Sequence, residues 1–212
     1  MSIAPCRGSA LILRGLFAFS AKPKGSQVEI IDSFEIEITV PSSFPRRVPT
    51  VIELDGKIPW ELDYHVFIRD GTLCLGSPVR LLKMVSERPT LVGFAESCLV
   101  PYLYGVSFKL RFGGSFVLGE LAHNRQAVIE DYVELFGLTD GGQVIESLTL
   151  LGMKRRHANK MQCPCGCGMR LGKCAFHRRL NTFRYIGNRS WYSGHANLLV
   201  AKLQDRDLEK RR

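Results

Sequence analysis

The residue patterns predict an α+β fold, an antiparallel meander sheet flanked by helices, with a small zinc-stapled basic unit at the C-terminal end. Three observations carry this. Runs that alternate apolar and polar residues occupy the early chain, while apolar residues three and four apart take over after residue 90. Four cysteines then crowd into residues 163–174, within a stretch rich in lysine and arginine.

The first strand is expected over Ala10–Phe19, an apolar segment broken by Arg14 and Gly15. Those two residues, and the lack of a run of about 18 apolar residues, argue against a membrane span or a signal peptide. Ser33–Val40 alternates as a half-buried strand does, and Pro41-Ser-Ser-Phe-Pro45 stops it. A second alternating run, Thr50–Leu54, follows Pro49 and ends at Asp55-Gly56, which makes the pair antiparallel neighbours.

The segment Asp63–Pro78 places Cys74 just past Asp70-Gly71 and nine residues after His65. Glycine tolerates positive φ, so the chain is expected to reverse just before Cys74 and leave it near the edge of the core. A thiolate is a strong nucleophile near neutral pH and forms a thioester without a metal. The plainer reading is a core cysteine between Leu73 and Leu75. His65 either supports the loop or assists an incoming amine as a general base. Asp63 and Asp70 either attract a lysine or simply cap turns.

With these residues in view, the chain resembles the ubiquitin-conjugating-enzyme family, most closely its bacterial branch, over about residues 10–150. The matching pieces are the strand, Phe44-Pro45, Val48-Pro49, Gly56-Lys-Ile-Pro59, His65 and Gly71-Thr-Leu-Cys74-Leu75. The resemblance implies that Cys74 receives a ubiquitin-like modifier as a thioester and passes it to a target amine. Eukaryotic members carry His-Pro-Asn before the cysteine, whereas this chain reads His65-Val66-Phe67, so it has no matching asparagine to serve the oxyanion. In bacteria such relatives belong to antiviral operons and act on a cGAS-like nucleotidyltransferase or on other targets. No nucleotide-binding signature is present, so the activating enzyme is expected to be a separate protein.

Beyond the cysteine loop the pattern turns helical. Thr90 is expected to cap a helix whose apolar positions include Leu91, Phe94, Cys98, Leu99 and Tyr102, with Pro101 kinking or ending it. Cys98 then belongs to the core. A second helix is expected over Ala122–Phe136 with Gly137 as its stop, and a third from after Asp140 to Leu151. His123, at the start of the second, reads as a capping or packing residue.

Charge divides the chain. Residues 1–150 hold 14 Lys and Arg against 17 Asp and Glu, whereas residues 151–212 hold 15 against 3. The expected units are therefore 1–152, the conjugating-enzyme-like domain, and 153–212, the basic tail. The tail carries Cys163-Pro-Cys-Gly-Cys-Gly-Met-Arg-Leu-Gly-Lys-Cys174-Ala-Phe-His177, which suits tetrahedral zinc and resembles the SEC-C motif. Cys163, Cys165, Cys174 and His177 are the expected ligands, with Cys167 as a substitute for one of them. The alternative is a redox-active or free thiol cluster. Clustered thiols also place the chain in a reducing compartment, the cytoplasm.

Around the cysteines, Arg170, Lys173, Arg178, Arg179, Arg184 and Arg189 alternate with Phe176, Phe183, Tyr185, Trp191 and Tyr192. Such a surface binds nucleic acid or docks an acidic protein, unless its aromatics form the small core around the metal. A short helix is expected over Leu198–Leu208. Two function classes follow: a cysteine-dependent conjugating transferase, and a noncatalytic adaptor or nucleic-acid-binding module of similar fold.

Overall fold

A computed structural model describes residues 2–5, 10–116 and 125–209, with side chains described for 10–116 and 126–201. Two compact units divide between His123 and Asn124. That division lies well before the charge shift, because the helices that follow Asn124 supply the hydrophobic partners of the cysteine-bearing segment. The expected boundary at 152 and 153 marks a change of composition and not the edge of a compact body.

The first unit is built on a four-stranded antiparallel sheet in the order β1 (Ser2–Pro5), β2 (Ala10–Ala21), β3 (Ile30–Pro41) and β4 (Thr50–Glu53). Phe17 pairs with Phe34 and Ile38 with Val51. β3 shows why the alternation is so regular: Phe34, Ile36, Ile38 and Val40 are buried and point to one face, while the residues between them are partly exposed. Each buried side chain contributes about 1.5–3 kcal/mol, so a one-residue slip of register would expose all four.

Helix α1 (Pro78–Glu87) begins with proline at its first position and buries Val79, Leu81, Leu82 and Val85. A longer rod follows: α2 (Leu91–Phe94), a π turn (Ala95–Leu99) and α3 (Val100–Phe112). Thr90 caps it as expected, its side chain accepting from the Gly93 N–H at 2.9 Å. Pro101 neither ends nor interrupts the rod. The Val100 N–H reaches back five residues to the Ala95 carbonyl, a wide turn that changes the pairing just where proline has no amide to give. Among the described residues this rod, Leu91–Phe112, is the one helix long and apolar enough to cross a membrane, with mean hydropathy 1.3. Phe94, Cys98, Leu99 and Tyr102–Val106 are buried in the core of this unit. Burial pushes the Cys98 thiol up to about 11, as befits a core residue.

One charged network ties the sheet to α3. Asp32 accepts from Lys57 Nζ at 2.5 Å and Ser107 Oγ at 2.8 Å, and Arg111 Nη2 lies 3.2 Å away. Desolvation raises this carboxyl, but the Lys57, Ser107 and Ser33 hydrogen bonds outweigh it and hold it down at about 2, against 3.8 ordinarily. A depressed carboxylate stabilises the fold fully above its unfolded value and loses that contribution as pH falls from about 4 through about 2. Lys57 and Arg111 are partly exposed, so screening leaves about 1–2 kcal/mol. Thermal melts from pH 5 to pH 2 should show Asp32→Asn falling less steeply than the wild type; parallel curves would mean that the network adds nothing.

The second unit is helical: α4 (Arg125–Phe136), α5 (Gly141–Gly152), α6 (Arg155–Ala158), α7 (Phe176–Ile186) and α8 (Arg189–Glu209). α5 is its centre, packing against α4, α7 and α8. Asp140 caps α5 by accepting from the Gln143 N–H at 3.0 Å. Gly137, at φ +63, ends α4 in the left-handed conformation. Tyr132, Phe136, Leu148, Leu151, Phe183 and Tyr192 are fully or almost fully buried. The cysteine-bearing segment therefore belongs to a unit with its own hydrophobic core, and a metal there is not the sole source of its stability. The expected start of α4 at Ala122, and His123, lie outside the described residues.

Candidate functional sites

Cys74 stands at the base of a tight hairpin. Val66 and Leu73 form a bridge, the Phe67 N–H donates to the Thr72 carbonyl at 2.9 Å, and the Cys74 N–H donates to the His65 carbonyl at 2.7 Å. Gly71 takes φ +71, the reversal expected from Asp70-Gly71, and a side chain at this position would run into the Trp60 ring. Asp70 accepts from the Thr72 N–H at 3.0 Å, and that bond holds its carboxyl below the usual range. It is a turn cap. Asp63 pairs with Lys109 Nζ at 2.6 Å, and the same ammonium donates to the Asp63 carbonyl at 3.0 Å.

His65 is itself left-handed, at φ +58, which lets the short helical turn Leu62–Tyr64 double back into the hairpin. Its ring is 1% exposed and packs edge-on against Phe116 at 4.3 Å. This placement fits loop support. Cys74 lies at the margin of the core, outside the packed cluster that holds Leu73 and Cys98, yet it is only 8% exposed, and desolvation pushes the thiol up despite a hydrogen bond from the Gly76 backbone. Beside it lies Tyr102, whose hydroxyl donates to the Tyr64 carbonyl at 2.8 Å. Burial, then the neighbouring Cys74 and Glu53, raise the Tyr102 phenol. Nothing in the sequence around the cysteine pointed to Tyr102; it reaches the loop from α3. On this hairpin and the turn that leads into it, Trp60, Leu62, Phe67 and Ile68 are each about half exposed or more.

The second cluster is sulfur-rich. Cys163, Cys165, Cys167 and Cys174 place their sulfurs within 4.8 Å of one another. The first three sit on a knuckle closed by the Cys163 N–H donating to the Met169 carbonyl at 2.8 Å, with Gly166 at φ +79 and Gly168 at φ +73 allowing the tight bend. Cys174 follows the short helical turn Leu171–Lys173, and its sulfur accepts from the Phe176 N–H at 3.4 Å. Cys163 and Cys165 sulfurs are 3.3 Å apart, and those of Cys165 and Cys174 are 3.6 Å apart. A disulfide would need about 2.05 Å. Four sulfurs at about 2.3 Å from one tetrahedral ion lie about 3.8 Å apart. The set therefore fits a metal ion.

The expected ligand set changes by one member. Cys167 joins the cluster, and His177 does not; His177 opens the first turn of α7, where its Nε2 is hydrogen-bonded to Asn181 at 2.8 Å. Desolvation opposes ionisation of Cys165, but hydrogen bonds from its neighbouring thiols outweigh it and bring it down to about 7. Desolvation pushes Cys163 up.

The basic and aromatic residues of the tail sort into two roles. Phe183 and Tyr192 are core, and the Tyr192 hydroxyl donates to the Phe183 carbonyl at 2.6 Å. Arg184 caps the end of α5, donating to the carbonyls of Leu150 at 2.7 Å, Met153 at 3.0 Å and Leu151 at 3.3 Å. Arg179 Nη1 donates to the Phe136 carbonyl at the end of α4, at 3.0 Å. Comparison with protein-family models, curated proteins and solved structures finds no match to this chain.

Proposed function

We propose that the chain is a cysteine-dependent conjugating transferase of the ubiquitin-conjugating kind, with Cys74 as its acceptor thiol and His65 as the support of its loop. The observation that carries this reading is a cysteine at the base of a tight hairpin fringed by exposed Trp60, Leu62, Phe67 and Ile68. Exposed apolar side chains on the hairpin that carries a buried nucleophile suit a partner that docks there and uncovers the thiol. The meander β1-β2-β3-β4 followed by the cysteine loop and then by helices is the order the family resemblance implies.

The chemistry balances without an oxidant. The Cys74 sulfur attacks the modifier's carbonyl on the activating enzyme's thioester; a new C–S bond forms, the old one breaks, and the proton leaving Cys74 ends on the released thiol. An amine of the target then displaces Cys74, giving an amide and restoring the thiol. Burial disfavours the thiolate in the free protein, so the docked complex is where it forms. Zinc is the ion that an all-cysteine tetrahedral set suits best, held by Cys163, Cys165, Cys167 and Cys174 in a structural site akin to the SEC-C motif. The reading places the protein in a bacterial cytoplasm, with an antiviral role and a cGAS-like nucleotidyltransferase as a candidate target.

With its cognate activating enzyme and modifier, the protein should gain one modifier mass in a bond cleaved by reducing thiols. Cys74→Ala should abolish the adduct, and Cys74→Ser should give a slower-forming one that resists thiols. His65→Ala should impair both charging and transfer if the residue supports the loop, and transfer alone if it acts as a base. A second reading, the noncatalytic adaptor, is favoured by the burial of Cys74 itself. An adduct that survives in Cys74→Ala, or none with the wild type, would decide for it.

A further inference from the structure

Between Glu146 and Asp205 the chain contains no Asp or Glu, yet it contains eleven Lys and Arg. Arg179 and Arg184 are committed to the carbonyl ends of α4 and α5. Arg155 and Arg156 on α6, Lys173 beside the cysteine knuckle, Arg178 on α7 and Arg189 at the start of α8 are all exposed. They also converge. After burial, the neighbouring Arg155 and Arg189 hold the Arg184 guanidinium below its ordinary value, so both lie around the point where α7 meets the end of α5. Like charges gathered with no acidic residue in their own stretch repel one another, and a polyanion relieves that repulsion.

The aromatic residues choose among polyanions. Phe183 and Tyr192 are buried, and Trp191 stacks on His195 at 5.0 Å. Tyr185 differs: it is 73% exposed. It follows Arg178 by seven residues, two turns along α7, and exposed Thr182 lies between them, so the three form one outward strip opposite Leu180 and Phe183. A phenol ring standing clear of the surface beside guanidinium groups is a stacking platform, which an unpaired base can use and a paired one cannot.

We propose that α6, the basic edge of the knuckle and the outer strip of α7 bind single-stranded nucleic acid, their cations taking phosphates and Tyr185 stacking on one base. The inference stands independently of any chemistry at Cys74. It is tested on the full chain by fluorescence anisotropy with a labelled 20-nucleotide oligo(dT) or oligo(U) and, in parallel, the corresponding duplex and poly-glutamate. Four neutralised phosphates predict that log K falls against log salt with a slope of about −3. An Arg155→Gln, Arg178→Gln variant should flatten that slope by about 1.4. Tyr185→Ala should weaken single-strand binding about tenfold and leave duplex binding unchanged. Circular dichroism and metal content unchanged from wild type would confirm that both variants are folded. No binding of the oligonucleotides at low salt, poly-glutamate binding as tight as theirs, or equal effects of Tyr185→Ala on single strand and duplex would overturn the proposal.

Discussion

Stripping metal from the purified chain is expected to open residues 161–174 while leaving the helices of the same unit in place. Wild-type protein should carry about one ion per chain. Hydrogen exchange after chelation should then show lost protection at the Cys163 amide, which donates to Met169, and at the Leu171 amide, which donates to Met161. Far-ultraviolet circular dichroism should barely change, because α4, α5, α7 and α8 share a core built from residues such as Tyr132, Leu148 and Phe183. Structural zinc in small peptides contributes on the order of 10 kcal/mol at neutral pH, so the local effect is large. The ligand set gives a sharper test. Cys167→Ser should weaken metal retention against a competing chelator by at least about tenfold, whereas His177→Ala should leave it near wild type. The opposite ranking would restore the histidine to the site, and protein isolated without any ion would remove the site altogether.

Arg184→Leu is expected to destabilise the second unit by about 3 kcal/mol. Its guanidinium donates to three carbonyls at the end of α5, two of them on the buried residues Leu150 and Leu151. The Leu150 carbonyl keeps the Met153 N–H at 3.2 Å, but the Leu151 and Met153 carbonyls have no further turn of helix to satisfy them and leucine offers no donor, so the variant leaves these acceptors unpaired. Arg178→Leu, six residues earlier on the exposed strip, should change stability by no more than about 0.5 kcal/mol. Urea titrations of both variants, followed by near-ultraviolet circular dichroism of the Trp191 and Tyr192 region, make the comparison. Equal midpoints would show that the cap contributes nothing.

What was legible in the sequence was whatever short-range pattern determines. The alternation of residues 33–40 anticipated β3 because every second side chain enters one core, and Thr90 and Asp140 marked helix starts because the cap is a local hydrogen bond. α1 was missed although its signal was present: Pro78 at the first position and Val79, Leu82 and Val85 three apart. α7 and the first half of α8 were hidden by their charge, which drew the eye from Leu180 and Phe183 on one helix and Tyr192, Ala196 and Leu199 on the other. α8 in fact starts at Arg189, with Asn188 Oδ1 accepting from the Trp191 N–H at 2.8 Å. At the sites, spacing marked the cysteine cluster, with Cys167 as the substitute ligand, and the member it replaces is His177. For Cys74 the sequence left a presented thiol and a core thiol both open. Its neighbour Tyr102, and Phe116 against His65, approach the loop from far along the chain.

The π turn at Ala95–Leu99 makes the rod count residues differently before and after Pro101. The wider turn takes up one residue more than an α turn does, so the residues after it keep the faces they would hold in an α-helix one residue shorter. Tyr102 and Lys109 owe their bearing to that offset, and both reach back to the turn before Cys74, one to the Tyr64 carbonyl and the other to Asp63. The stretch 95–99 therefore holds one residue beyond what an α-helix needs between the two halves. A single deletion within this stretch would turn the π turn into an α turn and leave both anchors facing the cysteine loop, whereas the same deletion between Val100 and Tyr102 would swing them about 100° around the axis while every residue of the loop stayed the same.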